Sequence, residues 1–222
     1  MIDFRVLDDL EAVSREAVAL CVEEFTRTSG PFSIALSGGK TPGRAYELLA
    51  EAPLDWNRVH VYWVDERCVP PGHPDSNQGL ARRALIDRVP IPGGNVHPMD
   101  GEADPFLAAE AYAHLLNGVT INVCFMGMGS DGHTASLFPG DDASLVSDDR
   151  VRHTRSPAGI PDRLTLTPHV LAEAGLKLFL ICGEDKRIPL QKFLAGEPLP
   201  SRVVADQGRS IVLADRAAAG EA

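Results

Sequence analysis

The sequence lacks the patterns that form disulfides, bind metal ions or cross membranes. Its four cysteines are far apart and include no CxxC pair, so we expect reduced thiols in a cytoplasmic protein. Its seven histidines have no HxH or HExxH spacing, so we expect no metal site. No apolar run approaches the roughly 18 residues that a membrane helix needs. The first residues have neither the basic nor the apolar region of a signal peptide.

Basic residues are scarce relative to acidic ones. The 222 residues include 21 Lys and Arg against 31 Asp and Glu, a formal net charge of −10. This balance argues against a nucleic-acid or membrane-surface partner. An anionic ligand would therefore have to meet a local cluster of positive charge. The even spread of Pro and Gly gives no sign of a linker, so we predict a single α/β domain over residues 1–222.

Short apolar runs alternate with amphipathic stretches along the chain. Strands are predicted at residues 32–36, 59–64, 121–126, 163–167, 176–182 and 210–213. Helices are predicted from Asp8 or Asp9 to before Gly30, from Pro42, over 78–89 and 104–116, and around 188–193. Strands that alternate with helices predict a doubly wound α/β fold, with a mostly parallel sheet and helices on both faces.

Four polar loops follow predicted strands. They cover residues 37–41, 65–67, 127–133 and 183–186. The carboxyl ends of parallel strands lie at one edge of a sheet, where α/β proteins bind their ligands. We therefore expect the four loops to meet and form a site.

The loop at residues 37–41 reads Ser-Gly-Gly-Lys-Thr and precedes Pro42. It is not a nucleotide P-loop, because that motif needs glycine at position 34, where the chain has Ile34. Backbone N–H groups in a glycine loop at a helix N-terminus do bind anions. A phosphate site is the functional interpretation. The alternative is a tight turn whose glycines only allow close packing.

The loop at residues 127–133 places Asp131 and His133 among three glycines. It matches the GxGxxG dinucleotide fingerprint, but no long helix follows and Asp131 would repel a pyrophosphate. Ser130 misses the GxSxG nucleophile elbow because Met128 stands at its first glycine. An imidazole beside a carboxylate in such a loop favours a general base. The alternative is a glycine-rich turn with a surface histidine.

Three other polar positions remain open at this point. Asp65 and Glu66 could be a paired-carboxylate acid/base unit, or could cap a helix or pair with Arg67. Asn77 and Arg163 could contact a ligand, or could anchor a loop and form a strand salt bridge.

Five blocks of this sequence together resemble the 6-phosphogluconolactonase family, within the glucosamine-6-phosphate isomerase/deaminase superfamily. The blocks lie in family order at residues 35–42, 65–67 with 76–77, 127–139, 163–167, and Gly183 with Lys186. The resemblance implies a doubly wound α/β fold and hydrolysis of 6-phospho-D-glucono-1,5-lactone in the oxidative pentose phosphate pathway. It also implies that residues 37–41 cradle the phosphate and that His133 is the catalytic base.

The resemblance also supplies the candidate site. The catalytic candidates are His133, Asp131 and Arg67. The candidates for binding substrate or phosphate are Ser37, Gly38, Gly39, Lys40, Thr41, Asp65, Glu66, Asn77, Gly129, Arg163 and Lys186. Arg67 and Lys186 supply positive charge, and either could meet the phosphate or the oxyanion. We expect no cofactor, a small sugar phosphate as partner, and a cytoplasmic monomer or small homo-oligomer.

The chain departs from the family pattern at Lys40, where many relatives have serine, and at Cys68, where an aromatic is common. Deaminases of the superfamily usually carry Phe-Asn-Glu-Pro where residues 136–139 here read Ser-Leu-Phe-Pro. The missing glutamate favours a lactonase over a deaminase. A deaminase that uses Asp65 as its base and a non-enzymatic sugar-phosphate sensor are the rival functions.

Overall fold

Strands and helices alternate along the chain, which a computed structural model describes over residues 2–221. The strands are β1 (Ile2–Leu7), β2 (Phe32–Leu36), β3 (Val59–Trp63), β4 (Asp65–Arg67), β5 (Val123–Met126), β6 (Val151–Arg155), β7 (Asp162–Leu166), β8 (Leu176–Ile181) and β9 (Ser210–Asp215). The α-helices are α1 (Leu10–Arg27), α2 (Lys40–Leu49), α3 (Asn77–Ala84), α4 (Pro105–Leu115), α5 (Asp142–Leu145), α6 (Pro168–Ala172), α7 (Arg187–Leu194), α8 (Pro200–Ala205) and α9 (Arg216–Ala219). Short 3₁₀ turns lie at Ile86–Arg88, Gly93–Asn95 and Glu184–Lys186.

Six strands form a parallel sheet in the order β1-β9-β8-β5-β2-β3. From β2 the chain runs outward to β3 at one edge, and from β5 it runs the other way through β8 to β9. The order therefore reverses between β2 and β5. Loops that leave two strands at such a switch point diverge and open a crevice for a ligand. The predicted doubly wound α/β fold is confirmed.

A second, antiparallel sheet in the order β4-β7-β6 stands beside this crevice. Only Val64 separates β3 from β4, and its N–H donates to Leu36 while its carbonyl accepts from Leu166. Residues 65–67 were expected to be a loop, and this small sheet makes them a strand. The sheet brings polar side chains from β4 and β7 to the crevice.

The apolar patterns placed most elements correctly, and the differences have local causes. The helix expected over 78–89 ends at Ala84, because Leu85 has φ −136° and ψ −64° and a 3₁₀ turn follows. Strands β1 and β6 were not predicted. The residues of β1 are mostly half-buried, and β6 lies at a sheet edge with a polar Arg-His-Thr-Arg sequence. Neither strand has the apolar run of a buried strand.

The core is one cluster of buried apolar side chains around the six-stranded sheet. The predicted strand around β8 contains Lys177, which is fully buried. Its ammonium group donates to the carbonyls of Leu171 and Gln207, and burial lowers its pKa. Among the described residues Cys21 and Cys124 are buried, Cys68 and Cys182 are half-buried, and all four are free thiols. No helix between residues 2 and 221 is long and apolar enough to span a membrane.

Candidate active site

Three adjoining cavities open at the carboxyl ends of β2, β5 and β8. The central cavity, of about 300 Å³, is lined by Ser37, Gly38, Gly39, Asp65, Arg67, Gly127, Met128, Gly129, Ser130, His133, Thr134, Ala135 and Lys186. The cradle cavity, of about 360 Å³, is lined by Gly38, Gly39, Lys40, Thr41, Pro42, Gly127, Met128, Leu180, Cys182, Asp185 and Lys186. The arginine cavity, of about 250 Å³, is lined by Asp65, Arg67, Ser130, Asp131, His133, Ala135, Phe138, Ser156, Pro157, Ala158 and Arg163. Residues from all four predicted loops therefore meet at one edge of the sheet.

The loop after β2 is fixed in a shape that suits an anion. The hydroxyl of Tyr46 accepts from the N–H of Ser37 and donates to its carbonyl, both at 2.9 Å. Gly39 has φ 109°, a conformation that side chains rarely allow,. The hydroxyl of Ser37 is buried and has no partner among the described residues. The first N–H groups of α2 lack intrahelical acceptors, so this loop and helix N-terminus offer several donors to one anion.

The loop after β5 holds His133 against Asp131. Nδ1 of His133 lies 2.6 Å from Oδ1 of Asp131, and the backbone N–H of His133 donates to the same oxygen at 3.0 Å. The hydrogen bond from His133 lowers the pKa of Asp131 to about 2. A carboxylate that is ionised at neutral pH accepts a hydrogen bond from the Nδ1–H group. Nε2 of the neutral imidazole is then the basic nitrogen.

Hydrogen bonds within this loop and contacts with neighbouring side chains also hold it in place. The N–H of Gly129 donates to the carbonyl of His133 at 2.8 Å, and the hydroxyl of Thr134 donates to the carbonyl of Gly127 at 2.8 Å. Gly132 has φ 86°, and a Cβ there would lie 2.8 Å from the side chain of Leu199. The ring of His133 stands 5.0 Å from that of Phe138. The imidazole is thus held in one place before any ligand arrives.

Asp65 lies at the border of the central and arginine cavities and is buried. Its Oδ2 accepts from the hydroxyl of Ser136 at 2.7 Å, and its Oδ1 accepts from the amide of Asn77 at 3.1 Å. Ser136 in turn is bound to Thr154 and Thr165 of the second sheet. Asp65 therefore connects β4 to the start of α3 and to the segment at Ser136.

Glu66 does not reach the pocket, which corrects its place among the ligand-binding candidates. Its carboxylate accepts from the backbone N–H groups of Arg67, Asn77 and Gln78 and from the hydroxyl of Ser76. Burial raises the pKa of Glu66, and the backbone donors partly offset that effect. Of the three interpretations left open, the contacts of Glu66 fit the helix cap, at the start of α3.

Asn77 likewise lies behind the pocket and lines none of the three cavities. Its amide donates to the carbonyl of Asp65 at 2.9 Å. A Cβ on Gly38 would lie 1.9 Å from Oδ1 of Asn77. Asn77 therefore supports the loop after β2 from beneath and anchors Asp65, so it has the anchoring role that had been left open.

Lys186, Arg67 and Arg163 supply positive charge around the three cavities. Lys186 borders the central and cradle cavities, and its ammonium lies 2.8 Å from the exposed carboxylate of Asp185. Arg67 borders the central and arginine cavities, and Arg163 faces the arginine cavity alone. The strand salt bridge considered for Arg163 is not formed with any residue from 2 to 221. These cations supply the local positive charge that a chain of net charge −10 needs for an anionic ligand.

Sequence reasoning missed three residues that shape the site. Tyr46 clamps the backbone of Ser37, and Ser136 binds Asp65. Ala135 lines two of the cavities and has φ 49°, the one non-glycine residue between 2 and 221 with a positive φ. Tyr46 lies on the inner face of a predicted helix, where an aromatic suggests only packing. Nothing in the alanine or serine sequence marks the other two.

Known proteins match this chain over most of its length. Residues 7–213 match the family described as glucosamine-6-phosphate isomerases/6-phosphogluconolactonase. A 6-phosphogluconolactonase of Nostoc sp. is 37% identical, covering 96% of this chain and 93% of that protein. One of Synechocystis sp. is 40% identical, covering 85% of this chain and 84% of that protein. The crystal structure of 6-phosphogluconolactonase from Thermotoga maritima is 31% identical, with a TM-score of 0.89 over 97% of this chain and 100% of that one.

Proposed function

This chain belongs to the glucosamine-6-phosphate isomerase/6-phosphogluconolactonase family, and we propose that its pocket hydrolyses 6-phospho-D-glucono-1,5-lactone to 6-phospho-D-gluconate. The reaction belongs to the oxidative pentose phosphate pathway. The relatives named 6-phosphogluconolactonase support this activity. The chain is thus a carboxylic ester hydrolase that acts on a sugar-phosphate lactone.

The observation that carries the mechanism is the His133–Asp131 pair at the border of the central and arginine cavities. Asp131 holds the imidazole by its Nδ1, so Nε2 takes a proton from water. That water attacks the lactone carbonyl carbon, and the carbonyl oxygen becomes an oxyanion. As the bond to the ring oxygen breaks, the imidazolium returns its proton to that oxygen. A base in such a position contributes roughly 10²–10⁴-fold to the rate.

The positions of the cations support separate roles for Lys186 and Arg67. Lys186 borders the cradle cavity together with Gly38 and Gly39, so we assign it to the phosphate along with the loop at residues 37–41. Arg67 shares the arginine cavity with His133, so we assign it to the oxyanion at the reacting carbon. Fixed donors at an oxyanion contribute about another 10²–10³-fold.

His133→Asn tests the base directly. The variant keeps hydrogen bonding but cannot take a proton, so we expect kcat to fall by roughly 10²–10⁴-fold. Affinity for 6-phosphogluconate should stay nearly unchanged, because the phosphate is bound by another loop. The rates are measured at slightly acidic pH, with spontaneous lactone hydrolysis subtracted. His114→Asn on the exposed side of α4 is the matched control and should keep the wild-type rate.

A near-normal kcat for a folded His133→Asn would make His133 a loop anchor and move the base to Asp65 or Asp131. The reaction class is tested by offering the purified protein the lactone and, separately, glucosamine 6-phosphate. Turnover of the amino sugar alone would contradict the lactonase. Phe138 stands at the place of the deaminase glutamate, with its ring 5.0 Å from that of His133, and the missing carboxylate supports the lactonase. Turnover of neither compound would favour a sugar-phosphate sensor.

We propose further that the protein acts in the cytoplasm as a monomer or small homo-oligomer. The four free thiols in the described chain support a reducing compartment,. The proposed partner is the small sugar phosphate alone.

A further inference from the structure

Arg67 and Arg163 face each other across two neighbouring strands of the second sheet, β4 and β7. They are directly paired in the antiparallel register of β4 and β7. Directly opposed residues of such a pair have Cβ atoms about 4.5–5.5 Å apart, and like charges there repel and destabilise the sheet. Arg163 is 91% buried, since only 9% of its surface is exposed. Two guanidinium groups that are opposed at a mostly buried position therefore lower the stability of the sheet, and this cost calls for a functional explanation.

Within residues 2–221 no carboxylate lies within ion-pair distance of either arginine. Nε of Arg163 donates to the carbonyl of Ile160 at 2.8 Å, and a terminal nitrogen of Arg67 donates to the carbonyl of Asp75. Nε of Arg67 is buried and has no partner among residues 2–221. Burial and the charge of Arg67 lower the pKa of Arg163, and the charges of Asp65, Asp75 and Glu66 offset this only in part. Asp65 accepts from Ser136 and Asn77, and Glu66 caps α3.

The free donors of this pair face the arginine cavity, which also contains His133. The substrate of the proposed reaction has one anionic group, the phosphate. Hydrolysis creates a second, a carboxylate at the carbon that the water attacks. If His133 activates that water, the carboxylate forms beside His133 and therefore beside the two arginines. Guanidinium groups bind carboxylates through two parallel hydrogen bonds.

We infer that Arg163, together with Arg67, forms a carboxylate-binding site for the ring-opened product, distinct from the phosphate cradle at Gly38, Gly39 and Lys186. This inference rests on the proposed lactonase function and adds the position of the reacting end of the sugar. The product is bound at its phosphate and at its carboxylate, whereas the lactone, which has no carboxylate, is bound at its phosphate end. Arg163 thus determines the affinity for product more than the affinity for other sugar phosphates.

Binding measurements with three ligands separate the two ends. The ligands are 6-phosphogluconate, which has both anions, glucitol 6-phosphate, which has no carboxylate, and gluconate, which has no phosphate. Arg163→Met should weaken binding of 6-phosphogluconate by about 10–100-fold, the usual effect of losing a charged hydrogen-bonded pair. It should leave glucitol 6-phosphate unchanged. Arg163→Lys keeps the charge but loses the planar pair of donors, so its affinity for 6-phosphogluconate should be intermediate.

The control is Arg155→Met on β6, which removes the same charge from an arginine whose side chain is 73% exposed. It should leave all three affinities unchanged. An equal loss for 6-phosphogluconate and glucitol 6-phosphate in Arg163→Met would place the phosphate at the arginines and overturn the inference. Unchanged binding of 6-phosphogluconate by either folded Arg163 variant would overturn it too. Since Arg163→Lys keeps the charge, it gives a result even if Arg163→Met fails to fold. Lactone turnover by the wild type is a separate test of the proposed function.

Discussion

At the residue scale, the absence of one methyl group fixes the geometry of the proposed base. A Cβ on Gly129 would lie 2.1 Å from Nδ1 of His133 and 2.6 Å from Oδ1 of Asp131. The His133–Asp131 pair therefore packs directly on the backbone of Gly129. Any side chain at this position must displace the imidazole or the carboxylate.

Gly129→Ala should lower kcat by about 10²-fold, because a displacement of around 1 Å is enough to misplace a catalytic group. Steady-state lactone hydrolysis measures the effect. Gly72→Ala is the control, since its added methyl meets nothing within 4 Å and should leave kcat unchanged. A Gly129→Ala enzyme with the wild-type rate would show that the position of the imidazole is not critical.

The phosphate assignment gives a second prediction at this scale. Lys186→Ala, and separately Gly38→Val, should weaken binding of 6-phosphogluconate far more than binding of gluconate. Lys186→Ala removes a positive charge from the cradle cavity, and the valine side chain would push against Asn77. Calorimetric titration of both ligands measures the difference.

The control for charge is Lys192→Ala on α7. The side chain of Lys192 is 50% exposed, and its Nζ lies 3.7 Å from Oε2 of Glu197. The affinities of this variant should be those of the wild type. An equal loss of affinity for 6-phosphogluconate and gluconate in Lys186→Ala would show that the phosphate does not bind at Lys186.

Asp131 should contribute to stability in a pH-dependent way. Its pKa is lowered to about 2 in the folded state, against about 3.9 for an ordinary aspartate. The folded state therefore binds fewer protons than the unfolded one between these values, and the contribution is present above about pH 4 and lost as the pH falls towards 2.

Urea unfolding of the wild type and Asp131→Asn at several pH values tests this. The difference in unfolding free energy should be constant above about pH 4 and shrink between about pH 4 and 2. In the His133→Asn background the pH dependence of this difference should largely vanish, because His133 is the main cause of the shift. A difference that grew on acidification would contradict the sign.

At the element scale, Glu66 connects the second sheet to the start of α3. It accepts three backbone N–H groups and one hydroxyl from inside the protein. Glu66→Ala leaves these donors without an acceptor, so we expect the unfolding free energy to fall by about 2–3 kcal/mol. Urea unfolding measures this, with the exposed Glu102→Ala as control. A loss of kcat without a loss of stability would instead favour the acid/base interpretation of Asp65 and Glu66.

At the scale of the whole molecule, the donors needed for a metal site do not come together. Between residues 2 and 221 no group of three or more His, Cys, Asp or Glu side chains is placed to hold a metal ion. We therefore expect exhaustive chelation to leave the rate of lactone hydrolysis unchanged within error. A large loss that zinc or magnesium restores would contradict this prediction.

The sequence by itself determined the parallel sheet and the loops that carry the site. Apolar runs such as Phe32–Leu36 form buried strands because burial removes their apolar side chains from water,. The polar loops that follow these strands must then lie at the carboxyl edge of the sheet. The pairing of Asp131 with His133 could also be predicted from the sequence, because the two residues lie two positions apart in one glycine loop. The single-domain prediction for residues 1–222 stays a prediction.

The tertiary structure alone decided which polar residues face the ligand. Asp65 and Glu66 are neighbours with similar chemistry, but alternate residues of a strand point to opposite faces. Only the pairing of β4 with β7 determines that Asp65 meets the pocket and that Glu66 caps α3. The same pairing places Arg163 opposite Arg67, although 95 residues lie between them in the chain. Contacts between distant segments depend on strand register, which local patterns of residues do not encode.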